Sequence, residues 1–424
     1  MTSSCGCTDN ERTGLSRRGL LGRALTAGAA GALAGLVGEG LSTQVAFAAP
    51  DAAYTGDVLV VLSLRGGFDG LSAVVPHGDP DYYRARPTIS VPKARLLAGD
   101  AMFGLHPALA PLLPWWRSGD LAAVHAVGQP NPSRSHFAAM EELERAAAGT
   151  SLRTGWLDRM LGLGGATDAF NAVSLGSALA PRVLAGPSPD LSLRSVDGFV
   201  LHGDSENSPM ARTLRTLYDG APAVLAAPAQ AADSALATAA NLRAAGYPPA
   251  NGAAYPATAL GNAMRDVARL VKAGVGLRAA CVDFGDWDMH EGLGTPVTGQ
   301  QMYDHLTELS LALAAFATDL GAAGLNRVTL LTVSEFGRRV QENGSRGADH
   351  GNGNAMLVLG GNVNGGRVYG RWPGLAPARL VAGDLAGTTD YRAVIGEVLR
   401  SRCGITDVGA VFPGVKPAGF GLVA

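Results

Sequence analysis

Short apolar runs recur along the chain, and each is bounded by polar or glycine-rich residues. The first is Val58–Leu64, which leads into Arg65-Gly66-Gly67. A continuous apolar run of this length is typical of a strand that a parallel sheet buries on both faces. Similar runs predict further strands at 121–127, 278–284, 327–333 and 355–359.

Longer segments with helical periodicity lie between these runs and predict helices at 137–148, 258–273, 302–323 and 391–400. Strands that alternate with helices of this length favour an α/β fold, a three-layer α/β/α sandwich around a mostly parallel sheet. Across residues 165–255 the pattern changes to short strands at 191–193 and 198–201, followed by an alanine-rich helical stretch. We interpret 165–255 as an insertion or cap on the main domain.

The N-terminal segment has the pattern of an export signal. Ser16-Arg17-Arg18 before apolar residues fits the twin-arginine consensus. The apolar stretch 24–37 is shorter than the roughly 20 residues of a membrane span, and Ala46-Phe47-Ala48 resembles a signal-peptidase site. We expect the twin-arginine translocase to export the chain and residues 1–48 to be removed, which leaves 49–424 in the periplasm or secreted, without a stable membrane anchor. The alternative is a buried alanine-rich helix.

Composition narrows the function classes. The formal net charge of −2, with 17% charged residues, offers neither a basic field for nucleic acid nor a polybasic patch for a membrane. Residues 49–424 are enough for one large α/β domain or two smaller ones. Cys281 and Cys403 remain after removal of the signal, and they could form a disulfide or stay as two buried thiols.

Polar residues follow the predicted strands directly, at the edge where open α/β sheets bind ligands. Asp69 lies in a glycine-rich turn after the first strand, where it would face a ligand or cap the next helix. Ser133 and Ser135 precede a predicted helix, where each could be an N-cap or a nucleophile activated by the helix dipole. Arg134 could hold a transferred anion with two hydrogen bonds.

Acidic residues and histidine are densest at 283–291, which contains Asp286, Asp288 and His290. Carboxylate and imidazole together suit one or two divalent metal ions, zinc, manganese or iron more than calcium, whereas the alternative is a solvated acidic loop. Further candidates are Glu335 and the adjacent pair Asp349 and His350 in a loop rich in glycine and asparagine. His136 stands out among the other histidines because it is next to the candidate nucleophile.

Five short motifs occur in a fixed order after the twin-arginine signal. They are Gly-Gly-Phe-Asp-Gly at 66–70, Ser-Arg-Ser-His-Phe at 133–137, Trp-Asp-x-His at 287–290, Ser-Glu-Phe-Gly-Arg at 334–338 and Asp-His-Gly at 349–351. Because it contains these five motifs in this order, the chain resembles domain-of-unknown-function family 1501, which is grouped with the alkaline phosphatase and sulfatase superfamily. The resemblance implies an alkaline-phosphatase-like fold and a metal-dependent hydrolase of phosphate or sulfate esters of small molecules or glycans.

The resemblance also implies roles for single residues. Ser135 would be the nucleophile, with Ser133 as the alternative, and Asp69 would be a metal ligand. The metal pair would be His290 with Asp286 by the spacing of the superfamily, or His290 with Asp288 by the motif of the family.

At Glu335 the superfamily has an acidic residue followed by histidine, and here Phe336 replaces that histidine. Asp349 and His350 would then supply the last histidine and an additional carboxylate. The missing histidine favours one alternative, a non-catalytic metal-stabilised binding protein on the same scaffold. A phosphomutase-like transferase that uses the same serine and a redox protein with a single metal are the others, although no haem, flavin or iron–sulfur motif is visible.

Overall fold

The computed structural model describes residues 54, 56–201, 209–416 and 418–424, all of which belong to one compact unit. The predicted signal peptide, residues 1–48, lies outside the described residues. The division into signal, main domain and cap therefore stays a prediction.

The apolar runs form the strands that the sequence predicts. In the described part of the chain the strands are β1 (Val58–Leu64), β2 (Val74–Val75), β3 (Gly104–Leu105), β4 (Leu121–Gly128), β5 (Ala172–Leu175), β6 (Leu191–Leu193), β7 (Ala279–Phe284), β8 (Val328–Val333), β9 (Asn354–Leu359), β10 (Val368–Tyr369) and β11 (Thr389–Asp390). The central sheet has the order β10-β4-β9-β8-β1-β7-β5-β6, with β11 also paired to β4, while β2 and β3 form a separate antiparallel pair.

The helices lie mainly between these strands, as the periodicity predicts. They are α1 (Gly70–Ala73), α2 (Pro80–Ala85), α3 (Leu113–Ser118), α4 (His136–Arg145), α5 (Trp156–Leu163), α6 (Pro209–Tyr218), α7 (Ala223–Ala245), α8 (Ala259–Ala273), α9 (Gln301–Leu325), α10 (Tyr391–Arg402) and α11 (Val408–Val411). Short 3-10 turns occur at Lys93–Arg95, Pro107–Leu112, Ala169–Asn171, Arg182–Leu184 and Pro377–Arg379.

Both faces of the sheet are covered, which explains the continuous apolar runs. In β1 the side chains of Val60 and Leu62 pack into the core formed with α8 and α9, whereas Leu59 and Val61 pack into the core formed with α5, α10 and α11. All four are at most 2% exposed. The predicted three-layer α/β/α sandwich is therefore confirmed.

One strand departs from the parallel arrangement. β9 runs antiparallel to both of its neighbours, β4 and β8, while β8, β1, β7, β5 and β6 run parallel in sequence along the sheet. The carboxyl ends of β1, β4, β7 and β8 therefore lie at one edge, and β9 begins at that same edge. As a result, the loop before β9 meets the loops that follow the other four strands.

Two predictions within 165–255 need correction. The segment 198–201 is a turn followed by non-strand chain, although its Phe-Val-Leu run is apolar as a short buried strand would be. β5 and β6 extend the central sheet, because β5 pairs with β7 along Ala172–Leu175. The first part of the predicted insertion is thus integral to the sheet.

Among the described residues, α9 is the helix that is long and apolar enough, by length and composition alone, to cross a membrane. Its Leu309, Leu313 and Phe316 are fully buried in the core of this domain, and the helix is broken at Gly321, where φ is 62°. Cys281 and Cys403 are unpaired thiols; Cys281 is buried as the second alternative expects, whereas Cys403 is partly exposed.

Candidate metal centre

Three side chains converge at the carboxyl edge of the sheet. His136 is the first residue of α4, Asp288 lies in the loop after β7, and His350 lies in the loop before β9. Each offers one ligand atom, and these atoms all lie within 4.8 Å of one another. In the described part of the chain, these three side chains form the group of acidic, histidine or cysteine residues whose ligand atoms lie close enough together to hold a metal ion.

Asp288 is the residue whose carboxylate lies near the Nε2 atoms of three histidines. Its Oδ1 lies 3.0 Å from Nε2 of His350 and 3.1 Å from Nε2 of His290, and its Oδ2 lies 3.5 Å from Nε2 of His136. The Nε2 atoms of His290 and His350 are 2.8 Å apart. His290 is thus a fourth donor beside the group of three.

The tautomer of each imidazole follows from the partner of its other nitrogen. His136 Nδ1 lies 2.8 Å from Glu335 Oε1, and His290 Nδ1 lies 3.0 Å from Asp349 Oδ1. His350 Nδ1 lies 2.8 Å from the carbonyl oxygen of Arg134. Carboxylate and carbonyl oxygens only accept, so each Nδ1 carries the proton and donates it. In the neutral rings all three Nε2 atoms therefore present lone pairs.

These lone pairs fit a metal ion. The Nε2 atom of His136 is buried and has no hydrogen-bond partner among the described residues. Two facing lone pairs on His290 and His350 repel each other unless a proton or a metal ion lies between them. Ligands at about 2.05 Å from a tetrahedral ion are about 3.3 Å apart. The distances from Asp288 to the three Nε2 atoms, and between Nε2 of His290 and of His350, are 2.8–3.5 Å, while the ligand atoms of the group of three all lie within 4.8 Å of one another. Histidines held at Nδ1 by carboxylate or carbonyl oxygen are also typical of metal ligands.

Asp288 stays ionised in this environment. Partial burial alone would raise its pKa, but the hydrogen bonds from Arg338 and from a doubly protonated His350, and the charges of Arg338 and of a doubly protonated His290, lower the pKa of Asp288 to about 2. Arg338 is 1% exposed and donates from Nη2 to Asp288 Oδ1 at 2.7 Å. The same guanidinium also donates to the carbonyl oxygens of Gly66, Gly67, Trp287 and Ala348, which fastens the loops around Asp288 together.

Glu335 and Asp349 lie behind the histidines. The Oε1 atom of Glu335, which is 2% exposed, accepts from His136 Nδ1 and from the backbone amide of Gly66 at 2.9 Å. Asp349 Oδ1 accepts from His290 Nδ1 and from Asn343 Nδ2 at 2.9 Å. Glu335 and Asp349, which the sequence predicts as ligands, therefore contact the Nδ1 atoms of two histidines and orient their rings. Neither carboxylate belongs to the group of three converging ligand atoms.

Asp69 is not part of the converging group. Its carboxylate is 3% exposed and forms a bidentate ion pair with Arg86, which is fully buried, at 2.5 and 3.0 Å. Ser72 Oγ donates to the same carboxylate at 2.6 Å. The two contacts with Arg86 tie the turn after β1 to the segment after α2, so the structure places Asp69 in a structural ion pair where the sequence predicts a ligand.

The remaining candidates surround the cluster. Ser135 is the exposed N-cap of α4, and its side chain makes no capping hydrogen bond, whereas Ser133 Oγ accepts from the Ser135 amide at 3.2 Å. Arg134 points to Asp384, to which its Nη2 donates at 2.6 Å. Asp286 is exposed, with φ 64°, and lies outside the group of three.

Sequence reasoning named His136 without giving it a ligand role, and it missed Arg338 and Arg86. The signal for His136 was available, because it directly follows the candidate serine at the start of a helix at the ligand-binding edge. Phe336 packs its ring 4.9 Å from the ring of His136 and 4.7 Å from that of His350. The residue that replaces the expected histidine thus supports the two imidazoles from the side.

Several solved structures show a slight likeness to this chain. The phosphonate monoester hydrolase of Agrobacterium radiobacter is 13% identical with a TM-score of 0.33, and the match covers 86% of this chain and 78% of that one. The integral membrane protein lipooligosaccharide phosphoethanolamine transferase A from Neisseria meningitidis is 12% identical with a TM-score of 0.29, covering 75% of this chain and 50% of that one. The lipoteichoic acid synthase from Listeria monocytogenes is 8% identical with a TM-score of 0.26, covering 73% and 66%. The chain spans about half the length of the transferase, and likenesses of this size carry no argument about its activity.

No curated protein matches the sequence. A family model does match, over residues 122–397, which is more than half of the chain. This segment contains four of the five motifs together with His136, Asp288, His290, Glu335 and His350. The chain therefore belongs to the family described as protein of unknown function (DUF1501).

Proposed function

We propose that this chain is an exported metal-dependent hydrolase of phosphate or sulfate esters, with Ser135 as its nucleophile. The observation that carries the proposal is the convergence of three Nε2 lone pairs on one carboxylate. His136, His290 and His350 with Asp288 would hold one divalent ion, and this donor set suits zinc, manganese or iron. A metal bound there would polarise the ester oxygens and neutralise the charge that develops on them.

The chain's own residues supply the rest of the proposed site. Ser135 directly precedes His136, so the candidate nucleophile and one candidate ligand are neighbours at the start of α4. The hydroxyl of Ser135 is exposed and is not used to cap the helix. The amino end of a ten-residue helix also favours the negative charge of a phosphate or sulfate group. Export through the twin-arginine route, with delivery to the periplasm or the medium, is part of the same proposal and rests on the sequence of residues 1–48.

A second candidate function is a non-catalytic, metal-stabilised binding protein. Two observations favour it: Asp69 is withdrawn into an ion pair with Arg86, and Arg134 is held by Asp384. Asp69 would then be unavailable as the metal ligand that the superfamily resemblance implies, and Arg134 could not hold a transferred anion through its Nε and Nη2 atoms. In this case the metal would hold the loops at the sheet edge together without taking part in a reaction.

Metal analysis tests the part that both candidates share. Protein purified without chelator is expected to contain about one equivalent of a divalent transition metal. His136→Ala and His350→Ala should each lower that content strongly, whereas His77→Ala, outside the cluster, should leave it unchanged. A wild-type protein that contains no metal and binds none on titration would refute the metal centre.

An ester panel then separates the two candidates. Phosphate monoesters, phosphate diesters and sulfate esters would be assayed with metal-loaded wild type, Ser135→Ala and the neighbouring control Ser133→Ala. The hydrolase proposal predicts turnover by wild type and the control, and loss with Ser135→Ala. Equal activity of Ser135→Ala and wild type would remove the nucleophile, and absence of turnover by a fully metal-loaded wild type would favour the binding protein.

A further inference from the structure

Two arginines beside the metal centre share a single buried carboxylate. Arg134 donates from Nε and Nη2 to Asp384 Oδ2 at 3.1 and 2.6 Å, and Arg339 donates from Nε to Asp384 Oδ1 at 3.3 Å. Asp384 is 5% exposed in its side chain, whereas Arg134 and Arg339 are 45% and 37% exposed. One negative charge therefore holds two positive charges at the surface, which leaves an excess of positive charge.

A tight turn aligns the two guanidinium groups. The carbonyl oxygen of Ala382 accepts from Nη2 of Arg339 at 2.6 Å and from Nη2 of Arg134 at 3.2 Å. Ala382 has φ 52°, a left-handed conformation that costs an alanine about 1 kcal/mol, and Gly383 follows with φ 85°. A methyl group on Gly383 would lie 2.7 Å from Nη2 of Arg339. The backbone is thus held in an unfavourable conformation at the point where it fixes both arginines.

Each arginine keeps one end free of protein hydrogen bonds. The contacts to Asp384 and Ala382 use Nε and Nη2, and the Nη1 atoms of Arg134 and Arg339 have no protein acceptor in the described part of the chain. Together they offer four N–H donors on exposed, pre-aligned guanidinium groups. An arginine in this state can donate a charge-assisted hydrogen bond from Nη1 to a phosphate, sulfate or carboxylate, and the two arginines together can bind one such group.

The same two residues are joined to the metal centre through their backbones. The carbonyl oxygen of Arg134 accepts from Nδ1 of His350 at 2.8 Å, and the amide of Arg339 donates to the carbonyl of Asp349 at 2.9 Å. Arg339 also lines a surface cavity of about 460 Å³, together with Arg84. The arginine pair is thus connected to the metal centre, and one of its members lines a space large enough for part of a ligand.

We propose that Arg134 and Arg339, aligned by Asp384 and the turn at Ala382, form an anion-binding subsite for a second negatively charged group of the ligand. The ligand class is then a polyanion, one that carries a phosphate, sulfate or carboxylate in addition to the ester at the metal. Naming that ligand a substrate rests on the proposed function, while the anion subsite itself does not.

Anion binding to metal-free protein tests the subsite without any turnover. Chelator-treated protein would be titrated with inorganic phosphate at constant ionic strength and followed by calorimetry. Wild type and the control Arg153→Gln, an arginine whose side chain is 79% exposed elsewhere on the surface, should bind alike. Arg339→Gln and Arg134→Gln should each weaken binding by about tenfold or more, because each removes charge-assisted hydrogen bonds. Each single variant leaves Asp384 one arginine partner, so the fold is kept.

The conservative variant Arg339→Lys separates a specific clamp from general attraction. It keeps the charge but loses the planar guanidinium that Asp384 and Ala382 hold in place, so the subsite predicts weakened binding for it as well. Binding that is unchanged in both Arg→Gln variants, or no phosphate binding by wild type, would overturn the proposal. With metal-loaded protein, Arg339→Gln should raise KM for phosphate or sulfate esters that carry a second anionic group and leave KM unchanged for esters that lack one. Because the first titration needs neither metal nor turnover, failure of the hydrolase and failure of the subsite give different results.

Discussion

The substitution Asp69→Asn tests whether Asp69 stabilises the folded protein through its ion pair with Arg86 or binds the metal. Asp69 accepts two hydrogen bonds from Arg86 and one from Ser72 in the interior of the protein. Burial alone would raise the pKa of Asp69, but the charge of Arg86 and the hydrogen bonds from Arg86 and Ser72 hold the pKa below its usual range. The carboxylate is therefore ionised, and its charge balances that of Arg86.

The cost of the substitution follows from what Arg86 would keep. Without the carboxylate, its fully buried guanidinium retains the carbonyl oxygens of Val340 and Arg339 and the hydroxyl of Ser72. These are dipoles and do not neutralise a charge. A buried ion that loses its partner costs about 3–5 kcal/mol. We expect Asp69→Asn to lower the free energy of unfolding by that amount, a large part of the 5–15 kcal/mol typical of a folded protein, and to leave the metal content unchanged.

Urea unfolding followed by circular dichroism, with metal content measured on the same preparation, checks both expectations. The control is Asp81→Asn, which removes a carboxylate paired with Arg84, an arginine whose side chain is 67% exposed, and should cost no more than about 1 kcal/mol. An Asp69→Asn protein with wild-type stability and no metal would refute the reasoning, because it would make Asp69 a ligand, as the sequence motif alone predicts.

Three further substitutions test other parts of the structure. Burial and the neighbouring charge of Asp158 raise the pKa of Asp190 from 3.8 to about 6. The wild-type protein should therefore lose up to about 3 kcal/mol of its free energy of unfolding as the pH rises from about 4 to 6. In urea unfolding across that pH range, Asp190→Asn should not show this loss. Glu335→Gln should weaken metal affinity by about 10–100-fold, measured by competition with a chelator, because it removes the charge that orients His136. Gly66→Ala should lower metal affinity and lower the free energy of unfolding in urea by about 1–3 kcal/mol. The reason is that φ of Gly66 is 115° and an added methyl group would lie 2.7 Å from the amide nitrogen of Asp288. In the control Gly285→Ala the methyl group meets open space, and the substitution should cost less than about 1 kcal/mol.

The central sheet was predictable because its strands are buried on both faces. The run Val58–Leu64 is apolar at nearly every position, and the observed β1 has those bounds. The direction of β9 was not predictable, since a buried strand has the same apolar run in either direction. That direction brings His350 to the metal centre, because the loop before an antiparallel strand lies at the edge where the parallel strands end.

Individual site residues were harder to predict because their partners are distant in the chain. A carboxylate in a glycine-rich turn has the same local sequence whether it binds a metal or an arginine. Asp69 is 17 residues from Arg86, and the two meet only after α2 has packed. His136 and Glu335 are separated by 199 residues, so the role of each depends on the completed sheet. The segment 198–201 has the apolar run of a short buried strand, but no neighbouring strand pairs with it in the described part of the chain.

The position of β9 has a consequence for the order of assembly. β4 is joined to the rest of the sheet only through β9, because the strand order is β4-β9-β8. A chain that has been synthesised only as far as residue 350 therefore has every candidate ligand but no strand to hold α4 and His136 against the loops after β7 and β8. Such long-range pairing is slow compared with local folding. The capacity to hold a metal would thus mark a chain whose folding is nearly finished, and metal uptake would report completion of the sheet.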